Sequence, residues 1–170
     1  MKQQHQLKKI VAVAAALGVL SVAGTSQGAS TSGVFDVNIT LNSACTLSAV
    51  SAVDFVYTSL GAGVNSNPAS GAFTVQCTST LPYFFGLQVG NAAAVPPGLA
   101  SINVTDNGVN LAYDLTTTAA NGVGDGTAQP YRVTGTMGAG QPGTCGLASC
   151  SNTAGATAST NRQHTLILNF

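Results

Sequence analysis

From residue 34 the chain alternates between apolar and polar positions. Phe35, Val37, Ile39 and Leu41 are apolar, whereas Asp36, Asn38, Thr40 and Asn42 are polar. Successive side chains of a strand point to opposite faces, so as a strand this segment has one wholly apolar face and one wholly polar face. A related pattern returns at residues 165–170, where Leu166, Leu168 and Phe170 interleave with Thr165, Ile167 and Asn169. Between these two segments, β-branched and aromatic residues recur in short runs divided by Gly, Asn, Pro and Ser, with no sustained 3.6-residue apolar period. The pattern predicts strands at 34–41, 46–50, 53–57, 72–77, 83–89, 100–104, 109–116, 131–137 and 165–170. Short strands at this spacing predict an all-β, immunoglobulin-like β-sandwich. Asn107-Gly108, Asn121-Gly122 and Asp125-Gly126 tolerate positive φ and are predicted as turns, while Pro96-Pro97 and Pro142-Gly143 interrupt pairing.

The first residues change the picture of where the chain works. Lys2, Lys8 and Lys9 precede an uncharged apolar run over residues 10–23, roughly 14 residues against the roughly 20 a membrane span needs. Small residues follow at Ser26 and Gly28, so residues 1–28 are predicted to be a signal peptide cut before Ala29, or one residue later. The expected route is through the inner membrane to the periplasm and then to the cell surface, with no membrane insertion. Losing the leader also loses every lysine. Arg132 and Arg162 then face Asp36, Asp54, Asp106, Asp114 and Asp125, with no Glu anywhere, for a net charge of −3. Nucleic acid is therefore excluded as a partner, because its phosphates require clustered Lys and Arg.

All four cysteines, Cys45, Cys77, Cys145 and Cys150, follow the leader, and an even number in an oxidising compartment implies two disulfides. Three pairings are possible. The short stretch CGLASC favours Cys145 with Cys150, which leaves Cys45 to bridge Cys77 across about 32 residues, a loop credited with roughly 3–4 kcal/mol. Residues 138–160 are rich in Gly, Ala, Ser and Thr and are expected to be loose unless that bridge tethers them.

Catalytic, metal and cofactor sites are all expected to be absent. After the leader there is one histidine, His164, with no lysine, no glutamate and no G-x-S-x-G nucleophile turn. Zinc spacings of the Cys-x2-Cys kind are missing. His164 is expected to face solvent or a chaperone, and the apolar run at residues 81–85 to be explained by strand alternation.

Several segments resemble the spore coat protein U domain family, which includes subunits of archaic chaperone-usher pili. They are FDVNITLNSACTL (35–47), FTVQC (73–77), NLAYDLT (110–116), YRVTGTMGAGQ (131–141) and HTLILNF (164–170), in the family's order. Two features depart from the family: TNRQH (160–164) stands where a Tyr and an Asp are common, and CGLASC reads as an insertion. The resemblance implies a sandwich lacking one strand, residues 29–44 acting as a donor segment, and a pilin-like domain over residues 45–170. Phe35, Val37, Ile39 and Leu41 would then be the donated residues, while Leu166, Leu168 and Phe170 line the groove that receives a neighbour's strand. The implied partners are a periplasmic pilus chaperone, an outer-membrane usher and other pilus subunits, in a fibre serving adhesion or biofilm formation. Two alternatives stay open for residues 34–41, a donor strand or the domain's own first strand. For function, the alternatives are a self-contained coat protein and a small carbohydrate-binding module.

Overall fold

A computed structural model describes residues 30–170 apart from 92, 95 and 96. The expected signal peptide at residues 1–28 lies outside the described residues, as does Pro96. The chain divides at Ile39 and Thr40 into a leading unit and a body.

The regular secondary structure of the body is almost wholly strand, namely β1 (Cys45–Leu47), β2 (Val64–Asn65), β3 (Ala72–Cys77), β4 (Pro82–Val89), β5 (Ser101–Thr105), β6 (Ala112–Thr117), β7 (Asn121–Val123), β8 (Gln129–Met137) and β9 (His164–Asn169). Two antiparallel sheets form a β-sandwich. One runs β1-β3-β8-β6-β5 with β2 also on β8, and the other runs β7-β4-β9. Alternation decides which side chains lie between them. In β3, Phe73, Val75 and Cys77 are buried while Thr74 and Gln76 are exposed, and β5 repeats the pattern with Ile102 and Val104. The run at residues 81–85 alternates as expected, with Tyr83 and Phe85 buried and Phe84 exposed. Phe73, Tyr83, Phe85 and Tyr131 pack as an aromatic cluster, and Tyr131 closes to 4.8 Å from Phe85. The Tyr83 hydroxyl bonds to Tyr131 at 2.7 Å and to the Gln129 side chain, so its polar atom is satisfied inside the core.

The pairing register gives the body two poles. Cys45 opposite Cys77, Val75 opposite Gln129 and Pro82 opposite Val123 gather at one of them. The β5–β6 turn, the end of β8 and the start of β9 gather at the other.

Four expectations are corrected. Residues 34–41 form no strand, and Phe35 (85%), Val37 (69%), Ile39 (85%) and Leu41 (78%) are all exposed. A strand is stabilised by its neighbours, and this segment enters no ladder. Residues 53–57 also form no strand, and the backbone at Ala52 and Asp54 bonds to a loop rather than to a ladder. Gly71 N–H donates to the Ala52 carbonyl, Asn67 N–H to that of Asp54, and Asp54 N–H to the Ser70 hydroxyl. Their alternation survives, with Val53, Phe55 and Tyr57 partly buried and Asp54 and Val56 exposed. Asn121-Gly122 is not a turn but part of β7, where Gly122 admits Tyr83, since a Cβ there would sit 2.5 Å from the tyrosine ring. Finally, residues 46–50 shorten to the three-residue β1, and β2 is a strand the apolar pattern was too brief to announce.

Candidate functional site

Within the body, a groove of about 720 Å³ runs between residues 50–57 on one side and the start of β9 on the other. Its floor is the core itself, made by Leu87, Tyr113, Leu115, Val133 and Met137. β9 is an edge strand, and among the described residues no strand lies on its side away from β4. The facing wall bends away from strand geometry for the reason given above. The two sheets therefore lie apart along this margin, with apolar side chains at the bottom of the gap.

Contacts across the floor give the direction of each wall. Val53 lies at the level of Gly71 and Val133, and Phe55 lies against Gly135 and 5.8 Å from the Tyr113 ring. Tyr113 in turn reaches His164, the first residue of β9. Leu168, further along β9, lies opposite Phe85, which packs on Tyr131 at the other end of β8. Residues 53–57 thus run antiparallel to β9 across the gap. Gly135 is required here, since any Cβ would overlap the Phe55 ring. Gln141 holds the wall's far end. Its side-chain amide accepts from Ala112 N–H at 2.6 Å and donates to the Ala112 carbonyl at 2.9 Å, as a neighbouring strand would, while its own N–H donates to the Tyr57 hydroxyl at 2.8 Å.

The groove is apolar toward Val53 and Leu166 and polar toward the start of β9. There the Tyr113 hydroxyl lies 2.7 Å from His164 Nε2, and Gly90 N–H donates to His164 Nδ1 at 3.3 Å. The second bond makes Nδ1 an acceptor and places the imidazole proton on Nε2. Burial lowers the His164 pKa, partly opposed by the nearby Asp106 charge, and burial with the same charge pushes Tyr113 up to about 12. Asp106 is only 1% exposed. Burial alone would raise its pKa, but bonds from Asn152, Val109 N–H, Ser159 and Gly108 N–H outweigh that and hold it below the ordinary range. The arrangement keeps one carboxylate charged, one imidazole neutral and one phenol protonated. That suits a fixed polar wall, and of the two settings expected for His164, solvent or a chaperone, the first is corrected: it is half-buried and bonded within the groove.

A family model, the Spore Coat Protein U domain, matches residues 31–165. The chain belongs to the Spore Coat Protein U domain family. This is a structural family of pilus and coat proteins. No curated protein and no solved structure matches it.

Within this Spore Coat Protein U domain, the predicted residues fall as follows. Cys45 is bonded to Cys77 and Cys145 to Cys150, as the spacing favoured. Leu166 lines the groove and, with Leu168, packs against the core. Phe170 lies just beyond β9 and is 63% exposed, so it does not share their burial. Phe35, Val37, Ile39 and Leu41 are all exposed. Three residues that shape the groove were missed: Phe55, Tyr113 and Gln141. Alternation at 53–57 signalled the first, whereas the role of Gln141 depends on a contact between residues 29 apart.

Proposed function

We propose that this chain is a structural subunit of an extracellular chaperone-usher pilus, completed by a strand donated from another subunit. The observation that carries the reading is that one chain holds both an apolar groove along the edge of β9 and an exposed, alternating apolar segment with no ladder of its own. Adding an extended segment to a sheet edge is β-augmentation, in which main-chain bonds give affinity and alternate side chains filling pockets give register. Phe35, Val37, Ile39 and Leu41 are the pocket-filling residues, and Leu166 and Leu168 belong to the strand that receives them. In this reading a periplasmic chaperone fills the groove first, an outer-membrane usher exchanges it for residues 34–41 of the next subunit, and the fibre serves adhesion or biofilm formation.

The direction of donation follows from the walls. β9 is the regular edge, and antiparallel pairing is the more stable kind per residue. A donor antiparallel to β9 is parallel to residues 50–57. Parallel pairing with the next stretch of the same chain needs a crossover of a dozen or more residues, and only residues 42–49 intervene. Donation is thus between copies, and a heterologous contact of this kind that does not close grows into a fibre.

The test compares two variants expressed with the cognate chaperone and usher and viewed by electron microscopy. Ile39→Asp abolishes fibres while Thr40→Asp, on the polar face, retains them. Equal effects of the two substitutions would sink the proposal.

A further inference from the structure

The pole at the polar end of the groove carries a built surface that strand donation alone does not need. Loop 144–163, which reads from the sequence as an insertion, is anchored on the β5–β6 turn. Asp106 Oδ1 accepts from Gly108 N–H at 2.8 Å and Val109 N–H at 2.9 Å, and its Oδ2 accepts from the Asn152 amide at 2.8 Å. Asn107 makes a second anchor, accepting from the Ser159 hydroxyl at 2.9 Å and Thr160 N–H at 3.0 Å. Gly108 lies so close beneath the loop that a Cβ there would overlap the Thr157 carbonyl oxygen. The Cys145–Cys150 disulfide closes the loop's exposed tip, on which Leu147 is 77% exposed. The loop is therefore rigid and yet presents an apolar residue to solvent.

We propose that this pole is the seat for the opposite pole of the next copy, with Leu147 at the contact and Arg162 facing the incoming Asp125. The inference rests on strand donation between copies, and the length of the tether carries it further. The body's first fixed residue is Ala44, whose N–H and carbonyl are bonded to Thr78. Only Asn42 and Ser43 separate it from Leu41, so the tether from Leu41 to Ala44 spans about 10 Å at most. A donor running antiparallel to β9 brings Leu41 to the start of that strand, where Arg162 and residues 150–153 line the groove. The donating body is then drawn against this pole by its own Cys45–Cys77 end. That end carries residues 78–80 and the exposed turn around Asp125, which is held by hydrogen bonds from Thr80 N–H to the Gly124 carbonyl and from Gly126 N–H to the Cys77 carbonyl. Arg162 and Asp125 are exposed and of opposite charge, in a chain with only one other arginine. The two poles lie at opposite ends of the body, so each contact leaves the next seat open.

The experiment uses fibres of the full chain carrying a photoreactive residue in place of Leu147. Crosslinks are mapped by mass spectrometry. They are expected between copies, at residues 78–80 or 123–126. Fibres that form with crosslinks confined to other regions overturn the contact while leaving strand donation intact. If the wild-type chain forms no fibre with its chaperone and usher, strand donation fails and the contact fails with it. A charge exchange supplies a second readout. Arg162→Asp and Asp125→Arg each speed fibre dissociation in denaturant about two- to fivefold, the range for an exposed ion pair, and the double exchange restores it. Single and double variants that dissociate alike at the wild-type rate overturn the pairing.

Discussion

Residues 34–41 and β9 show the same two-residue period and meet opposite fates. In β9 the apolar residues Leu166 and Leu168 pack on the core while all six residues pair with β4. In residues 34–41 the apolar side chains stay in water and no ladder forms. Composition does not separate them, since both are rich in β-branched or aliphatic residues. What separates them is a neighbour. β9 has one in β4, and an apolar-floored groove opens along its other margin. The contrast teaches that an amphipathic strand is only half of a structure, and under the proposed strand donation this chain carries two halves that other copies complete.

The largest effect expected is a split between those halves. Leu168→Asp places an unpaired charge against the core, at a cost of several kcal/mol, and should leave no cooperative unfolding transition in a urea titration of the chaperone-released protein. Ile39→Asp should leave that transition where it is in the wild type while removing fibres. A shared loss of the transition would mean that residues 34–41 already stabilise their own body. Grafting residues 34–41 behind Phe170 through a turn tests the converse. A hairpin runs antiparallel to β9, so the grafted strand should raise the urea midpoint, and Ile39→Asp within the graft should cancel the gain.

The two disulfides come next in size. Cys45–Cys77 closes a separation of 32 residues and Cys145–Cys150 one of 5. The chain-entropy relation gives about 3.7 kcal/mol for the longer loop and about 2 kcal/mol for the shorter. Replacing Cys45 and Cys77 together by Ala should therefore lower the unfolding free energy more than replacing Cys145 and Cys150, as read from denaturant midpoints with unchanged slope. The shorter bridge should matter more to fibres than to folding if loop 144–163 is the seat proposed above. The reverse ranking in the fibre assay would leave that loop as a local staple.

How much of this was legible in the sequence follows from how local each cause is. Strands β3, β4, β5, β8 and β9 were close to their predicted bounds, because alternation and flanking turn residues are local signals. The disulfide pairing was legible from spacing, and the sandwich from strand number. Asn121-Gly122 misled because a pair that tolerates a tight turn also suits a strand that must make room for a tyrosine from its neighbour. Residues 53–57 misled because their hydrogen-bond partners sit in a loop that alternation does not register. The polar clamp over the β5–β6 turn was invisible for the same reason. Asp106 and Asn107 read as turn residues, and nothing nearby indicates that Asn152, Ser159 and Thr160 come to meet them. The composition of residues 138–160 suggested looseness, yet hydroxyls and amides rich enough to look disordered also supply the donors and acceptors that tie the segment down.

The smallest effect expected is a dependence on pH, and it belongs to β9 and its polar wall. Burial holds the His164 pKa below its ordinary 6.5, so below that value the unfolded chain binds the proton more readily than the folded one. Stability is then full above about pH 6.5 and falls as pH drops through the lower folded value. Protonation also turns Nδ1 into a donor aimed at Gly90 N–H, so the bond that fixes the first residue of β9 is lost. Asp106 acts in the same direction but lower, since hydrogen bonds depress its carboxyl below the ordinary 3.8 and its contribution is lost only as pH falls through that depressed value. The groove should therefore loosen at its polar end before the core does. Urea midpoints at pH 7 and pH 5 should differ for the wild type and converge for His164→Gln. A variant that loses stability in parallel with the wild type would place the acid-sensitive group elsewhere than at the start of β9.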